Sequence, residues 1–361
     1  MSGVIHRKDL ERIKYWLGNV LGLPPGMGDT FFVASSGSAY EAWFKKMGID
    51  GGHLFTTPAL GYAAMTTLRN DILCVAPEVF TTTAALTWAK SNCHMVGLGG
   101  PNIQGRKSTT GTFPTMPGGA CMFTDTVDVV STLHVTGARN QFHNMQIVNW
   151  GIDVHNLQAV RVGGTANLSF GNYFKKCNIQ GIGNTTQSNA IASSLTIGAG
   201  ASYYQFDECI IGHNTYGGAR ATVNQGHLFY AGSVEEGLGA GYGPQNGQFN
   251  DTLFLSRGST ATVPMVTIGS EAGDGEALDR VHDFTRCRFE NWYGAVTNLS
   301  YVFKMICNSY YIVNLHDCHA EGYDYWRVVA GGEPGGRLWA SMPITGLGGG
   351  LTREPTSAVG Y

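Results

Sequence analysis

The sequence predicts an all-β protein in which short strands are wound into successive coils, a β-solenoid. Three observations lead to this prediction. A short pattern recurs along the chain, each copy has strand periodicity, and no helical stretch of repeat length lies between the copies. A repeat of short strands without helices can close its sheets by coiling, because each coil then pairs with the next one.

The recurring pattern is an apolar residue, two polar residues, a small or medium-sized apolar residue, any residue, and a further apolar residue. Its copies begin at positions 142, 174, 206, 249, 284 and 315, so the intervals are 32, 32, 43, 35 and 31 residues. The last two fixed positions alternate with a polar residue, as side chains do in a strand. Gly and Asn between the copies indicate turns. We therefore expect equivalent positions to stack as columns along the interior.

Cysteine occupies the fourth position in four copies. Such a cysteine could be a metal ligand, a disulfide partner, a nucleophile or a core residue. The first 26 residues carry charges throughout and lack the apolar core of a signal peptide, so we expect a reducing compartment, where disulfides are rare. Cysteine is also among the most buried residue types. Core packing is therefore the favoured interpretation. The predicted core ladder consists of Phe142, Phe174, Phe206, Phe284, Cys177, Cys209, Cys287 and Cys318.

Composition argues against two classes of partner. The net charge is −3 and the pI is about 6.4, so no basic balance points to nucleic acid. No run of 18 or more apolar residues is present, so we expect no membrane span. Charged residues make up only 14% of the chain and Gly accounts for 51 residues, which suits a turn-rich β body or a surface largely covered by partners.

The segment Asp71-Ile-Leu-Cys-Val-Ala-Pro77 is followed by a polar turn, a strand and a rung from Asn92 to Gly99. In this order it resembles the opening coil of the right-handed parallel β-helix proteins of the pectate-lyase-like class. The resemblance covers about residues 28–329 and implies a right-handed parallel β-helix there. These motifs are specific for the architecture and carry little about activity, because one fold hosts many functions.

The N-terminal segment, residues 1–27, is predicted to contain a short helix. Its apolar residues Ile13, Trp16 and Leu17 recur at helical spacing, and prolines follow the helix. Two interpretations remain open: a cap over the open end of the β-helix, or an assembly helix that docks onto a partner.

The C-terminal segment, residues 330–361, is predicted to be an extended arm. It has many Gly and Pro, no sustained period, and scattered apolar anchors that include Leu338 and Trp339. Such an arm either becomes ordered against a neighbouring subunit or remains a flexible tail.

Candidate chemistry lies in the last coils. Cleavage of a polysaccharide needs two carboxylates, one as acid and one as base or nucleophile, with aromatic rings as sugar platforms. The candidate carboxylates are Glu290, Asp317 and Glu321, and the candidate glycan-binding residues are Trp292, Tyr323, Asp324 and Trp326. The pair Asp207-Glu208 occupies the polar slot of the repeat, so it is interpreted as a solvated corner. No metal or cofactor site is predicted.

The function predicted is that of a structural virion protein of a tailed bacteriophage: a capsid decoration, fibre or spike subunit for particle stability or host-surface attachment. The resemblance to phage-type β-helix proteins, the helix and arm, and the lack of a convincing catalytic constellation favour it. The expected partners are other copies in a homotrimer, other virion proteins and a bacterial surface glycan, and the expected location is the virion. Two alternatives stay open: a tailspike-type polysaccharide depolymerase or lyase, and a non-catalytic glycan-binding adhesin.

Overall fold

The computed structural model describes most of the predicted β-helix and little of either end. The described residues are 28–49, 51–99, 119–125, 128–151, 157–164, 169–182, 192–213, 227–231, 243–256, 264–269, 278–291, 299–305, 311–329 and 337–341. The N-terminal helix predicted within residues 1–27 lies outside this set.

Three sheets form the walls of a right-handed parallel β-helix, and every strand pair in them is parallel. The first sheet contains β1 (Thr30–Val33), β2 (Leu54–Phe55), β3 (Asp71–Val75), β6 (Cys93–Gly97), β9 (Gln141–His143), β12 (Ser169–Phe170), β13 (Tyr173–Lys175), β16 (Ala201–Ser202), β17 (Gln205–Asp207), β20 (Gln245–Asn250), β23 (Asp279–Thr285), β26 (Tyr311–His316) and β29 (Arg337–Ser341). The second sheet contains β4 (Val79–Thr81), β7 (Ala120–Thr124), β10 (Met145–Asn149), β14 (Asn178–Gln180), β18 (Ile210–Gly212), β21 (Leu253–Ser256), β24 (Arg288–Asn291) and β27 (His319–Glu321). The third sheet contains β5 (Leu86–Trp88), β8 (Ser131–Val135), β11 (Gln158–Val162), β15 (Ser193–Ile197), β19 (Leu228–Tyr230), β22 (Val266–Ile268), β25 (Leu299–Met305) and β28 (Tyr323–Val329).

From β3 onward the chain passes through the first, second and third sheets in turn, so neighbours within a sheet come from successive coils. The predicted fold class, an all-β parallel β-helix, is confirmed. Connections between parallel strands of one sheet are right-handed in nearly all proteins, because a right-twisted strand packs back onto its sheet only in that way.

Two helices lie at the N-terminal end of the described chain. Helix α1 (Ala39–Lys46) begins at Ser38, whose hydroxyl accepts a hydrogen bond from the Glu41 backbone N–H, and Phe44 packs against Phe32 outside the first sheet. Helix α2 (Pro58–Ala64) begins at Thr57 and places the Tyr62 ring 4.4 Å from the Trp88 ring. Helix α2 therefore covers the start of the interior, as solenoids require at their ends.

A sharp corner joins the first sheet to the second sheet in each successive coil. The second residue of the polar pair in the repeat has a left-handed φ of between 50° and 55° in six coils: Asn144, Lys176, Glu208, Asp251, Arg286 and Asp317. Its N–H donates to the carbonyl of the first polar residue in the next coil, as from Lys176 to Asp207 at 3.0 Å. The backbone makes this corner, which explains why the slot accepts any polar pair.

The interior holds a stack of phenylalanine rings. Ring centroids are 4.6 Å apart from Phe142 to Phe174 and from Phe174 to Phe206. They are 5.0 Å apart from Phe206 to Phe249 and 4.8 Å apart from Phe249 to Phe284. The planes of these rings differ by 14° or less. Parallel in-register strands impose this spacing, which is close to their own separation of about 4.8 Å.

The cysteine column lies beside the phenylalanine stack, and its members are buried as free thiols. Each thiol donates a weak hydrogen bond to the phenylalanine carbonyl of the preceding coil, as from Cys287 to Phe249 at 3.3 Å and from Cys318 to Phe284 at 3.2 Å. Thr252, in the same column, uses its hydroxyl for the equivalent bond to Phe206 at 3.3 Å. Met145, which is also buried in this column, has no such hydrogen, so the column accepts a medium-sized apolar side chain as well as small side chains with a polar hydrogen.

A polar cluster interrupts the interior across the three coils that contain Phe206, Phe249 and Phe284. The Tyr204 hydroxyl donates to His282 Nδ1 at 2.8 Å, and His282 Nε2 donates to the Pro244 and Asp279 carbonyls at 3.2 and 3.1 Å. The tyrosine reaches across the intervening coil because Gly247 has no side chain; a Cβ there would lie 2.1 Å from the Tyr204 ring. Burial lowers the pKa of His282 to about 4.

The first sheet continues beyond residue 329, the predicted end of the β-helix. Strand β29 pairs with β26 in register, with Leu338 beside Val313, and the Leu338 side chain is fully buried. Leu338 extends an inward-facing column, so a strand forms within the segment predicted to be an extended arm. Leu338 is thus a core residue, and its side chain does not lie on a surface that another subunit contacts.

Replacing Thr252 by valine should lower the free energy of unfolding by about 1 kcal/mol, because the buried hydroxyl that lies, as a donor, 3.1 and 3.3 Å from the Asn250 and Phe206 carbonyls is lost. Thr252→Cys restores the thiol of the neighbouring coils and should lose less. Urea unfolding of both variants and the parent measures the difference. Equal losses for valine and cysteine would show that the hydrogen bond contributes nothing.

Lowering the pH from about 6.5 to 4 should destabilise the protein, because the unfolded state takes up a proton at His282 that the folded state excludes. The contribution of this one histidine is roughly 3 kcal/mol at pH 4. His94 and His143, whose pKa values burial also lowers to about 4, add to the same trend. Urea unfolding between pH 4 and 7 should give a smaller slope for His282→Gln than for the parent. An unchanged slope would contradict the prediction.

Candidate functional site

The outer surface of the first sheet carries two rows of polar side chains on either side of the buried phenylalanine column. Successive side chains of a strand point to opposite faces, so the residues that flank each inward phenylalanine point outward. We call these two rows the polar face: Gln141, Tyr173, Gln205, Gln248, Asp283 and Asn314 in the first row, and Lys175, Asp207, Asn250, Thr285 and His316 in the second. His143, one coil before Lys175, is covered and only 1% exposed.

Asp207 is the centre of the polar face. Its carboxylate accepts a hydrogen bond from the Tyr173 hydroxyl at 2.7 Å, from Gln205 Nε2 at 2.9 Å and from Asn250 Nδ2 at 2.8 Å. These donors belong to three successive coils. Burial, and then the hydrogen bond to Asp207, raise the pKa of Tyr173, so its hydroxyl keeps its proton as a donor. The network holds the side chains of the face in fixed positions before any ligand arrives.

The charges around the polar face are paired across coils. Arg286 forms two hydrogen bonds with the Asp251 carboxylate, at 2.7 and 2.6 Å. Glu208 lies 3.8 Å from Lys175 and 3.4 Å from Lys176. The Arg286 hydrogen bonds lower the pKa of Asp251. Exposed pairs of this kind contribute little to stability.

Farther along the face, Asp283 takes a similar central position. Asn314 Nδ2 donates to Asp283 Oδ1 at 2.8 Å, and His316 Nε2 lies 3.7 Å from the same oxygen. Gln248, one coil earlier, is exposed. The face therefore offers amide donors and acceptors, and a few hydroxyl and carboxylate groups, at the interval of the coils.

Two of the three predicted catalytic carboxylates are neighbours. Glu290 and Glu321 are register partners on the second sheet, where neighbouring strands lie about 4.8 Å apart. Asp317 is exposed at the left-handed corner, away from that row. A spacing of about 5 Å would suit a retaining glycosidase. However, Glu290 is only 5% exposed and forms an ion pair with Arg288. The Arg288 guanidinium therefore occupies this carboxylate, and little of the Glu290 side chain is open to a substrate.

The predicted sugar platforms on β28 are wrong for the two aromatic residues that the structure describes. Tyr323 is fully buried and Trp326 is 2% exposed, and both belong to the interior core. The Trp326 ring contacts the inward Phe289 ring edge-on at 5.9 Å. These rings fill the last coil and present no surface to a sugar. Asp324 lies in the same strand, and Trp292 lies outside the described residues.

The predicted assembly residues have different locations. Ile13, Trp16 and Leu17 fall outside the described residues. Trp339 lies in β29 as the register partner of Asn314, at the C-terminal edge of the first sheet. In the described ranges, no group of three or more His, Cys, Asp or Glu side chains could hold a metal ion. Within those ranges, neither helix has the length and apolar character needed to cross a membrane.

Sequence analysis missed the polar face, although the repeat contained its signal. The residues before and after each phenylalanine are outward by strand alternation, and they include Gln141, Gln205 and Gln248 before the ring and Asp207 and Asn250 after it. The candidate carboxylates and aromatic residues lie instead on the second sheet and in the last coils. The enrichment in amide side chains at these alternating positions is the sequence signal that predicts a polar outer face.

The chain matches no protein-family model and no curated protein sequence. Similar solved structures include the pectin methylesterase from Aspergillus niger, with a TM-score of 0.49 and 11% identity, covering 92% of this chain and 96% of that chain. Pectin methylesterase PemA from Erwinia chrysanthemi has a TM-score of 0.45 and 12% identity, covering 82% of this chain and 80% of that chain. ORF18 of Geobacillus virus E2 has a TM-score of 0.41 and 11% identity, covering 78% of this chain and 57% of that chain. At these identities the likeness concerns the fold alone.

Proposed function

We propose that this protein is a non-catalytic structural subunit of a tailed-bacteriophage virion that contacts a bacterial surface polysaccharide through the polar face. The observation that carries the proposal is the network of amide, hydroxyl and carboxylate side chains that Asp207 holds across three coils. Such a network, fixed before binding, reduces the entropy lost when a ligand is bound.

A polysaccharide suits the polar face because both are periodic. The face repeats at the separation of parallel strands, about 4.8 Å, so a polymer lying along the axis can make a similar set of contacts in each coil. Individually weak hydrogen bonds then add along one chain, and the second and later contacts form intramolecularly. Sugar hydroxyl groups both donate and accept, which matches amides such as Gln205 and Gln248.

A catalytic role receives less support from the carboxylates. Glu290 is ion-paired with Arg288 and only 5% exposed, so its carboxylate offers little surface to a substrate. The successive corner carboxylates Glu208 and Asp251 are also ion-paired, with Lys176 and Arg286 respectively. The polysaccharide depolymerase therefore remains the alternative that a direct assay tests.

The virion setting and the homotrimer belong to the same proposal. They are supported by the sequence resemblance to phage-type β-helix proteins and by the small charged fraction of 14%, which suits a surface partly covered by other subunits. The partners would be two further copies and other virion proteins. The trimer would present three polar faces to one bacterial surface, which strengthens attachment by multivalency.

Binding to purified bacterial surface polysaccharides of contrasting composition should be detectable without release of reducing ends. The double variant Gln205→Ala, Gln248→Ala should bind at least about tenfold more weakly, because two amides are lost from the face. The matched variant Glu290→Gln, Glu321→Gln should bind like the parent. Co-sedimentation measures binding, and a reducing-sugar assay measures cleavage. If the parent releases reducing ends and the Glu290→Gln, Glu321→Gln variant does not, the non-catalytic role is overturned and the protein is a depolymerase.

The mass of the purified protein in solution should be three times that of the chain, which is 38.7 kDa. A variant that lacks residues 342–361 keeps β29 and should dissociate more readily if those residues strap the subunits together. Analytical ultracentrifugation over a dilution series measures both forms. A monomer at all concentrations for the full chain would contradict the trimer.

A further inference from the structure

A second set of left-handed corners lies where the chain enters the first sheet. In successive coils the residues at this corner are Arg139, Gly171, Tyr203, Asn246 and Arg280, with φ between 50° and 66°. Glycine and asparagine adopt this conformation readily, whereas a bulky tyrosine does so at an energetic cost. Tyr203 is the aromatic member of the row, and like Arg139 and Arg280 it adopts this conformation without the ease of glycine or asparagine.

The Tyr203 side chain is 61% exposed. Its backbone N–H donates to the Gln245 carbonyl at 2.9 Å, which fixes the corner and thus the base of the side chain. A large ring kept in water at a strained position contributes nothing to the core. Strained residues with exposed aromatic rings are features of ligand-binding sites.

Gly171 lies between Arg139 and Tyr203 in the row of corners. A Cβ at Gly171 would be in van der Waals contact with the Arg139 side chain and backbone, at 3.5 and 3.9 Å, so the Arg139 side chain lies against the glycine. The Gly171 N–H donates to the Ser202 carbonyl, and the Arg139 N–H donates to the Phe170 carbonyl. Arg139 and Tyr203 therefore stand two coils apart, about 9–10 Å along the axis, with a glycine between them. We call the surface formed by Arg139, Phe170, Gly171 and Tyr203 the notch.

The opposite side of the notch carries a cation. The Arg139 guanidinium lies 5.0 Å from the centre of the Phe170 ring, and no described carboxylate forms an ion pair with it. Other arginines along the first sheet have such partners: Arg280 lies 3.8 Å from Asp279, and Arg286 lies 2.6 Å from Asp251. Arg139 is thus held flat on an aromatic ring and has N–H donors for an anion.

We propose that the notch formed by Arg139, Phe170, Gly171 and Tyr203 binds one sugar unit that carries an anionic substituent. The pyranose ring packs on the Tyr203 ring, and the carboxylate or phosphate of that unit pairs with Arg139. The proposal rests on the proposed function, because the rest of the polymer continues along the polar face from Gln205 and Asp207, which follow Tyr203 in the same coil. The notch would select for charge, whereas the polar face binds hydroxyl groups.

The substitutions Tyr203→Asn and Arg139→Gln test the two sides of the notch. Asparagine accepts the left-handed conformation, so Tyr203→Asn removes the ring without straining the corner and should leave the unfolding temperature unchanged or raise it. The matched control is Arg280→Gln, in the same row of corners two coils beyond Tyr203 and already paired with Asp279. The probes are glucuronic acid oligosaccharides, their carboxyl-reduced neutral forms, and poly(glycerol phosphate).

With an anionic probe, Tyr203→Asn and Arg139→Gln should each weaken binding about tenfold or more, and Arg280→Gln should stay within about twofold of the parent. The carboxyl-reduced probe should bind the parent more weakly, and Arg139→Gln should then have no further effect. Preference for glucuronate oligosaccharides over poly(glycerol phosphate), which has no pyranose ring, would support packing of a sugar ring on Tyr203, and the reverse preference would overturn it.

Failure of the notch and failure of the proposed function give different results. If the parent binds surface polysaccharides but both notch variants bind as it does, or if carboxyl reduction does not alter binding, the notch proposal is overturned and the polar face stands. If the parent binds neither the surface polysaccharides nor the anionic probes, both proposals are overturned. If the anionic probes bind, if Tyr203→Asn and Arg139→Gln weaken that binding, and if nothing binds along the polar face, the notch proposal is supported and the polar-face proposal is overturned.

Discussion

The hydrogen bond from each left-handed corner residue to the next coil keeps the coils in register. Because the N–H of Lys176 bonds to the carbonyl of Asp207, and the N–H of Glu208 to that of Asn250, each coil begins its second-sheet strand at the same place as its neighbour. The phenylalanine stack, the thiol column and the polar face all follow from that alignment. Loss of the alignment by one residue would turn every side chain of a strand to the opposite side of the wall.

The corner has an energetic cost that the stacked columns offset. Left-handed φ in a residue other than glycine costs on the order of 1 kcal/mol, and the described chain adopts it at six corners of one kind alone. The aligned rings and the hydrogen bonds between coils repay it, since parallel aromatic contacts contribute about 0.5–1.5 kcal/mol beyond burial. The buried polar side chains also need their cost to be offset. Tyr204 and His282 fit in the interior only because Gly247 leaves space for the tyrosine and because backbone carbonyl groups accept the remaining histidine N–H.

Within the repeat copies, the sequence predicted which side chains point into the interior. Beyond the last copy it did not. Phe174 and Cys177 could be placed inside because the same spacing returns in each copy. Tyr323 and Trp326 lie beyond the last copy, after a turn at Gly322, where counting alternate residues no longer tells which side of the wall a ring occupies. The ion pair that restrains Glu290 comes from Arg288, two residues earlier on the same outward row. Alternation predicts that these two side chains are neighbours, but their charge pairing depends on the conformations of two long side chains.

The corner between the first and second sheets also determines where the chain tolerates changes in length. From each phenylalanine to the column residue that follows it the spacing is three residues in every copy, while the full intervals range from 31 to 43 residues. All variation is therefore absorbed elsewhere in the coil. Foreign peptides grafted into the connections that flank the third sheet would leave the alignment of coils intact, and a single residue inserted at the corner would not. The protein is in this respect a display scaffold with one fixed edge and extensible loops.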